Sequence, residues 1–584
     1  MSDCLGLKVR TGSLAVSLVV VGDLSGRDAP TRKLPRTGGR RRSSLPARPT
    51  DRQSDAGGNP AVAPPAPGRR ASVPWGPMTQ ASTAHRLPAH LEADAEAALE
   101  VLLERDLDSI LDMVLVSRDG HYEAHSHDGV VAFRRTGPGP DGYERVFSEG
   151  SDPLGDQTTD RFSPLQAELE SLHPHRSENA YPHAFDSVAQ LFDHPAAPDL
   201  CVIHAAAHNW EDQGGHRGEH GSLGVVQARA PFVIAGKGVR ADGPVPRSAR
   251  LLDVAPTVAH LLGCAPHDDD GTYLARQDGE VRLDVLDVEA GRPERVIGFL
   301  FDGTNPNVLY AMAASGEAPN VARLIEMGTA FEHGAMASLP TVTLANHTSI
   351  LTSRHPGHHG ILNNAWWDRA AGRQVITNSS ATWPQAMATL DPGVESLYQS
   401  VTRSFPDAFT AAVNEPCDVG AGYSTFDFFR RGDVPPIPKD PFGLPHTTER
   451  FVRPSKDYSW SSVVDHMGTE QAVGVLTGHY RGESYPLPRF MWVNFTLTDS
   501  AMHEGGPHSE IAAASIRDSD ARLGEVLAAL EGRGGFDDAA FVLVADHGME
   551  ENDPSVRGDW DVNLRDAGLT FRDEGYSFLY LGES

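Results

Sequence analysis

Short apolar runs alternate with amphipathic stretches along most of this chain. Five runs are almost continuously apolar: 200–205, 231–235, 296–301, 490–495 and 541–545. Runs of that length without a polar face predict strands covered on both sides. Apolar residues recur at helical spacing over 91–107, 164–193, 251–262 and 511–530, with Pro256 near the start of the third stretch. Residues 112–133 predict short strands broken at Asp119-Gly120 and Asp128-Gly129, and the Gly-, Pro- and Asp-rich residues 136–160 predict a loop. Strands alternating with helices predict an α/β fold around a mostly parallel sheet. Such a sheet gathers its functional groups at the carboxyl ends of its strands.

Composition narrows the class. Of 584 residues, 40% are hydrophobic and 22% charged, as in ordinary globular proteins. No apolar run approaches the roughly 20 residues that span a bilayer. A weak signal-like stretch at 14–21 lacks a following small-residue cleavage site, so a cytoplasmic location is expected. Cys4, Cys201, Cys264 and Cys417 show no CxxC spacing and predict neither a disulfide framework nor a cysteine metal site. Residues 1–85 hold 13 Lys and Arg against 5 Asp and Glu, so the rest of the chain carries −37 of the net −29. An acidic body argues against a general nucleic-acid binder. Residues 1–87, with Arg40-Arg41-Arg42 and Pro64-Pro65, are expected to be a disordered tail.

The chemistry-bearing residues follow the apolar runs. Asp302 comes after 296–301, Asp499 and His503 after 490–495, and Asp546 and His547 after 541–545. One Asp-Gly after a strand is usually a turn, but mixed Asp and His sets at several strand ends suit zinc or a similar divalent ion. Two such ions can hold both the attacking and the leaving oxygen of a phosphoryl group. Thr343, in Leu339-Pro-Thr-Val-Thr-Leu-Ala-Asn-His347, is read either as a capped helix start or as a nucleophile at a helix N-terminus.

Residues 296–368 resemble the start of a nucleotide pyrophosphatase/phosphodiesterase domain of the alkaline phosphatase superfamily. The likeness rests on a strand ending in Asp302-Gly303, the block from Pro340 to His347, and the His359-Gly-Ile and Asn363-Asn364 stretch. The resemblance implies an alkaline-phosphatase-like three-layer α/β sandwich and a phosphothreonine formed on Thr343. It implies that Asn346 helps stabilise the phosphoryl oxygens. It also assigns Asp302, Asp546 and His547 to one metal and Asp499 and His503 to the other, with Thr343 between them. Zinc is the expected ion, with manganese or iron as alternatives. Leu344-Ala345 stand where the family often has Phe-Pro. The Cys-x-Pro-x-Arg motif of sulfatases, which share this fold, is absent.

The family needs one more histidine after the Asp-His-Gly segment, and none occurs in the 37 residues beyond His547. The earlier segment Gly218-Glu-His220-Gly, running on to Gly238, resembles the closing part of the same domain, with 252–263 as its last helix. His220 is therefore expected to complete the second metal set, with His204, His208 and His216 as supporting residues. The reading is a circularly permuted domain: 88–264 the C-terminal-type half, 265–295 a linker, 296–584 the N-terminal-type half. The alternatives are an unrelated or degenerate module at 88–290 with His220 on its surface, and a site completed between two chains. A phosphodiester or nucleotide is the expected substrate, with Trp366 and Trp367 as candidates to stack on a base. The competing functions are a phosphomonoesterase, a phosphonate hydrolase, or an inactive module that binds metal.

Overall fold

Three apolar runs that lie far apart in sequence become neighbours. In the computed structural model, the strand Arg295–Phe301 lies between Phe490–Phe495 and Ala539–Val544, parallel to both. The model describes residues 85–583, except 119, 160–163, 171–180, 209–215, 434–455, 576 and 577. Each of the three strands is buried on both faces. Ile297, Phe299 and Phe301 point into one core with Met491, Val493, Phe541 and Leu543. Val296 and Leu300 point into the other with Phe490, Trp492, Val542 and Val544. That two-sided burial is why these segments read as unbroken apolar runs. A Cβ at Gly298 would stand 2.0 Å from the Trp492 ring, so only glycine lets the two strands carry that indole.

The central sheet has eight strands drawn from both parts of the chain. Thr410–Val413 and Tyr423–Ser424 extend it beyond Phe490–Phe495, all parallel. On the other side, Phe232–Gly236 inserts antiparallel between Ala539–Val544 and Gly328–Phe331, and Gly243–Val245 closes that edge. Helices cover both faces. Pro306–Ser315 and Glu510–Gly532 lie on one, and Val254–Leu262 and Thr343–Thr352 on the other. The sheet is thus mixed, with one reversed strand, and that strand comes from the earlier part of the chain.

A second sheet of seven strands is antiparallel throughout. It joins Leu111–Arg118, His121–Ser126, Gly129–Arg135, Tyr143–Gly150 and Leu200–His204 to the C-terminal pair Phe571–Glu574 and Phe578–Leu581. The strand Tyr143–Gly150 corrects the loop expected over 136–160. It is an exposed edge strand, so it shows no apolar face to read. The single helical stretch expected at 164–193 is instead Leu165–Glu170 and Ala184–Leu191, with 171–180 outside the described residues. The expected tail lies outside them too, except for its last three residues. The linker expected at 265–295 includes buried Leu274 and Val285 and the short 3-10 turns Leu283–Val285 and Val288–Ala290. Among the described residues no helix is long and apolar enough to cross a membrane.

Candidate metal centre

The carboxyl ends of the three central strands deliver the acidic residues. Asp302 follows Arg295–Phe301 and is fixed by its backbone N–H donating to Phe495 O at 2.9 Å. Asp546 follows Ala539–Val544, and its Oδ1 accepts from Gly303 N at 3.0 Å. Gly303 has φ +62, and a Cβ there would come within 2.8 Å of Asp499 Oδ1, so the turn that packs these acids together needs glycine. Asp499 sits in the first turn of the helix Leu497–Gly505, and His503 lies one turn later on the same face, with Nε2 3.3 Å from Asp499 Oδ1.

His220 arrives from the earlier part of the chain. A two-strand ladder pairs Gly218–Glu219 with Glu550–Glu551, which brings the segment beside His547. The His220 and His547 rings stack with centroids 3.7 Å apart, and His220 Nε2 lies 3.8 Å from Asp499 Oδ1. Among the described residues three trios have donor atoms within 4.8 Å of one another: Asp302, Asp546 and His547; His220, Asp499 and His503; and His216, Glu219 and His503, which shares His503 with the second.

The three histidines share one hydrogen-bonding habit. Nδ1 of His220 donates to Thr341 O at 2.7 Å, that of His503 to Gly218 O at 2.8 Å, and that of His547 to Gly548 O at 2.8 Å. A carbonyl can only accept, so each Nδ1 carries a proton, and Nε2 is the ring nitrogen left to face the trio and to give its lone pair to a cation once deprotonated. This is how metal-ligating histidines are commonly oriented. Asp302 Oδ1, Asp499 Oδ1, Asp546 Oδ2 and the Nε2 atoms of His503 and His547 are buried with no hydrogen-bond partner.

Electrostatics point the same way. Burial pushes the Asp302 carboxyl well above its usual range, and Asp546 and Asp499 push it further. Burial also opposes ionisation of Asp499, but His503, His220 and His547 outweigh it and hold that carboxyl low. Burial drives His220 well below the imidazole range, and His547 and His503 add to the effect. His503 is opposed by burial yet lifted to about 9 by Asp499 and Glu219. Three buried carboxylates this close repel one another. Divalent cations in the first two trios would neutralise them and occupy the unpartnered atoms, so the residues fit such ions.

Thr343 opens the helix Thr343–Thr352 and is half-buried, whereas the nine residues after it are all buried. Two residues earlier, Thr341 ties this segment to the His220 loop. Its Oγ1 accepts from Gly221 N at 2.8 Å and donates to Ser222 O at 3.0 Å. His347, one turn after Thr343, points Nε2 at Asp546 Oδ2 from 3.6 Å while Nδ1 meets Glu415 at 2.9 Å. Burial opposes protonation of His347, and Glu415 with Asp546 overcomes it, so its pKa is raised.

The expected role of Asn346 needs correction. Its Oδ1 accepts from Ser338 N, and its Nδ2 faces the carbonyls of Ser338, Pro340 and Val342 at 3.0–3.2 Å. The carboxamide is fully buried and braces the loop before the helix, which leaves no donor for a phosphoryl oxygen. Trp366 is equally unsuited to stacking on a base, because it lies in the core with Leu339 and Ile361. The Trp367 ring is covered by Arg572 at 3.9 Å. Of the supporting histidines, His216 meets Glu219 at 3.0 Å, next to His503. His208 packs near Trp560 instead. Sequence reading missed Glu219 and Glu415, which carry no motif and are marked only by complete burial of a carboxylate.

Alkaline phosphatase PafA of Elizabethkingia meningoseptica is 28% identical over 28% of this chain and 30% of its own length. Alkaline phosphatase PhoV of Synechococcus elongatus is 26% identical over 24% of this chain and 25% of its own length. The chain thus spans under a third of the curated relatives it matches. Murine ectonucleotide pyrophosphatase / phosphodiesterase 5 shares 14% identity over 44% of this chain and 57% of that one, with TM-score 0.29. Residues 296–582 match the family model of type I phosphodiesterase / nucleotide pyrophosphatase.

Proposed function

We propose that this chain is a metal-dependent phosphoric ester hydrolase that cleaves phosphodiesters, nucleotides among them, through a phosphothreonine at Thr343. The observation that carries the reading is the pair of buried trios whose histidines all turn Nε2 inward. The family match over 296–582 supports it. The mixed Asp and His donors favour zinc, with manganese or iron as alternatives. When bound, two such ions would neutralise phosphoryl charge and make a hydroxyl or a water more acidic.

The protein's own part follows from its geometry. In this reading the half-buried Thr343, first residue of its helix, supplies the nucleophilic hydroxyl, and the helix N-terminus offers backbone N–H groups to an anion. Thr343 Oγ gives up its proton and bonds to phosphorus as the ester oxygen leaves and takes a proton. Water then bonds to phosphorus, Thr343 Oγ leaves and recovers a proton, and the phosphate product departs. The backbone bonds at Nδ1 keep His220, His503 and His547 from turning during these steps.

We also read the chain order as a circular permutation. Two observations support this: the family match begins at 296, and residues before that point add His220 to a trio and Phe232–Gly236 to the central sheet. A second substrate reading, phosphomonoester hydrolysis, is favoured by the two relatives named alkaline phosphatases.

Metal content and turnover of an aryl phosphodiester and an aryl phosphomonoester test both readings, in wild type, Thr343→Ala and His220→Ala. The expected result is two ions per wild-type chain and diester turnover above monoester. Thr343→Ala should keep both ions and lose at least 1,000-fold in rate, since mutating a nucleophile costs about that much or more. His220→Ala should lose one ion and most activity. Faster monoester turnover would select the second reading. Full metal and activity in His220→Ala would remove the earlier segment from the chemistry.

A further inference from the structure

The helix Leu497–Gly505 carries two of the proposed ligands, yet its own sequence does not cap it. Its N-cap residue Thr496 makes no side-chain cap hydrogen bond. The first N–H groups of any helix need partners from outside it. Here they come from Asp465, in the middle of the 22-residue helix Lys456–Thr477. Asp465 Oδ1 accepts from Thr496 N at 2.8 Å and from Thr496 Oγ1 at 3.0 Å, and its Oδ2 accepts from Leu497 N at 3.1 Å. One carboxylate thus holds three donors at the point where the strand Phe490–Phe495 turns into the helix. Asp499 and His503 follow two and six residues after the last of them.

The carboxylate is 0% exposed, and isolated buried acids are rare. Burial pushes the Asp465 carboxyl up to about 7, against the opposite charge of the equally buried Arg522 on the neighbouring helix Glu510–Gly532, which itself pairs with Asp518 at 2.9 Å. The next contact along the helix secures the other trio. Thr498 Oγ1 donates to Asp302 O at 2.6 Å. The start of this helix is therefore fixed on one side by Asp465 and on the other by the strand end that bears Asp302. A buried acid placed against a helix N-terminus is also favoured by the helix dipole.

We propose that Asp465 is a positioning residue for the ion held by His220, Asp499 and His503: it sets the start of the ligand-bearing helix from outside that helix. This rests on the two-metal reading above. Groups that orient metal ligands change metal affinity by about 10- to 100-fold when removed. The effect is greatest at the trio whose Asp499 and His503 ride on this helix; Asp302 meets the helix only through Thr498 and the Asp465 charge, and Asp546 and His547 follow a different strand.

The test titrates Zn2+, and separately Co2+, into the full-length chain stripped of metal, for wild type, Asp465→Asn and Asp465→Ala. Circular dichroism melting of the metal-free forms runs alongside. The expected result is two ions in wild type. In Asp465→Ala the ion on the helix trio should weaken 10- to 100-fold and the other by a clearly smaller factor, with an altered Co2+ absorption band for the more weakened ion. Asp465→Asn keeps one strong acceptor and should fall between them. Equal weakening of both ions, in step with the melting temperature, would mean a general folding role and overturn the proposal. Unchanged affinities in both folded variants would overturn it as well. A wild type that binds no ion would overturn the two-metal reading itself, and the positioning role with it.

Discussion

Asn346 shows how a residue in a functional motif can serve the backbone instead of the substrate. Its carboxamide makes four contacts to the loop 338–342 and none is open to solvent. Asn346→Ala would leave a buried N–H and buried carbonyls without partners, at about 1–3 kcal/mol for each group that cannot rearrange. The expected outcome is a loss of about 3 kcal/mol in urea unfolding, with metal affinity nearly unchanged in whatever folds. Normal stability joined to a large fall in turnover would return Asn346 to the chemistry. At this scale the sequence was most legible where chemistry and secondary structure coincide. Asp302 and Asp546 stand directly beyond apolar runs and Asp499 four residues after another, and those runs are adjacent parallel strands. Asn346, Glu219 and Glu415 were not legible in the same way. Whether a polar side chain faces a ligand or a carbonyl depends on neighbours far away in sequence, 68 residues away for His347 and Glu415.

Among the elements, the short helix Pro356–His359 is held by charge rather than by apolar packing alone. His358 Nδ1 meets Asp278 at 2.6 Å and its Nε2 meets Asp193 at 2.7 Å, while Arg135 grips Asp193 at 2.7 and 3.0 Å. Three of these four residues come from before position 296. Burial opposes the charge on His358, but the two carboxylates lift its pKa to about 9, above the ordinary 6.5. The stability this proton provides is therefore complete below about pH 6.5 and is lost as pH rises through about 9. Its size is on the order of 3 kcal/mol. His358→Gln should thus melt well below wild type at pH 6, and the gap should shrink by pH 10. A gap that stays constant over that range would show that the native state does not hold the extra proton. The elements hardest to read from sequence have the same origin as this clamp. The exposed strand Tyr143–Gly150 presents no buried face, and its position is set by partners elsewhere in the seven-stranded sheet. The reversed strand Phe232–Gly236 looks like any other buried run, because direction leaves no mark on hydrophobic pattern.

For the molecule as a whole, the order of the chain matters less than its closure. All the described residues fall in one compact unit, and both sheets draw strands from either side of position 296. The buried carboxylate of Asp199 binds both extremities of that unit. His85 Nε2 lies 3.2 Å from Oδ1, and Leu581 N donates to Oδ2 at 2.8 Å. A flexible linker of about ten residues covers roughly 17 Å, ample for ends that share one side chain. The chain can therefore be rebuilt as 291–583, linker, 85–290, opening it in the turn between the 3-10 segment Val288–Ala290 and the strand Arg295–Phe301. If the natural order is a permutation, the rebuilt chain keeps every contact of both trios and alters only a loop-closure entropy, which varies slowly with length. It should take up the same number of ions, run as the same oligomer by light scattering, and turn over diester within about tenfold of wild type, roughly the 1.4 kcal/mol that one altered loop can cost. A rebuilt chain that is folded yet binds one ion fewer would mean that His220 joins its trio only through the 265–295 connection. The permutation reading would then give way to an earlier segment tethered to, rather than part of, the fold built by 296–582.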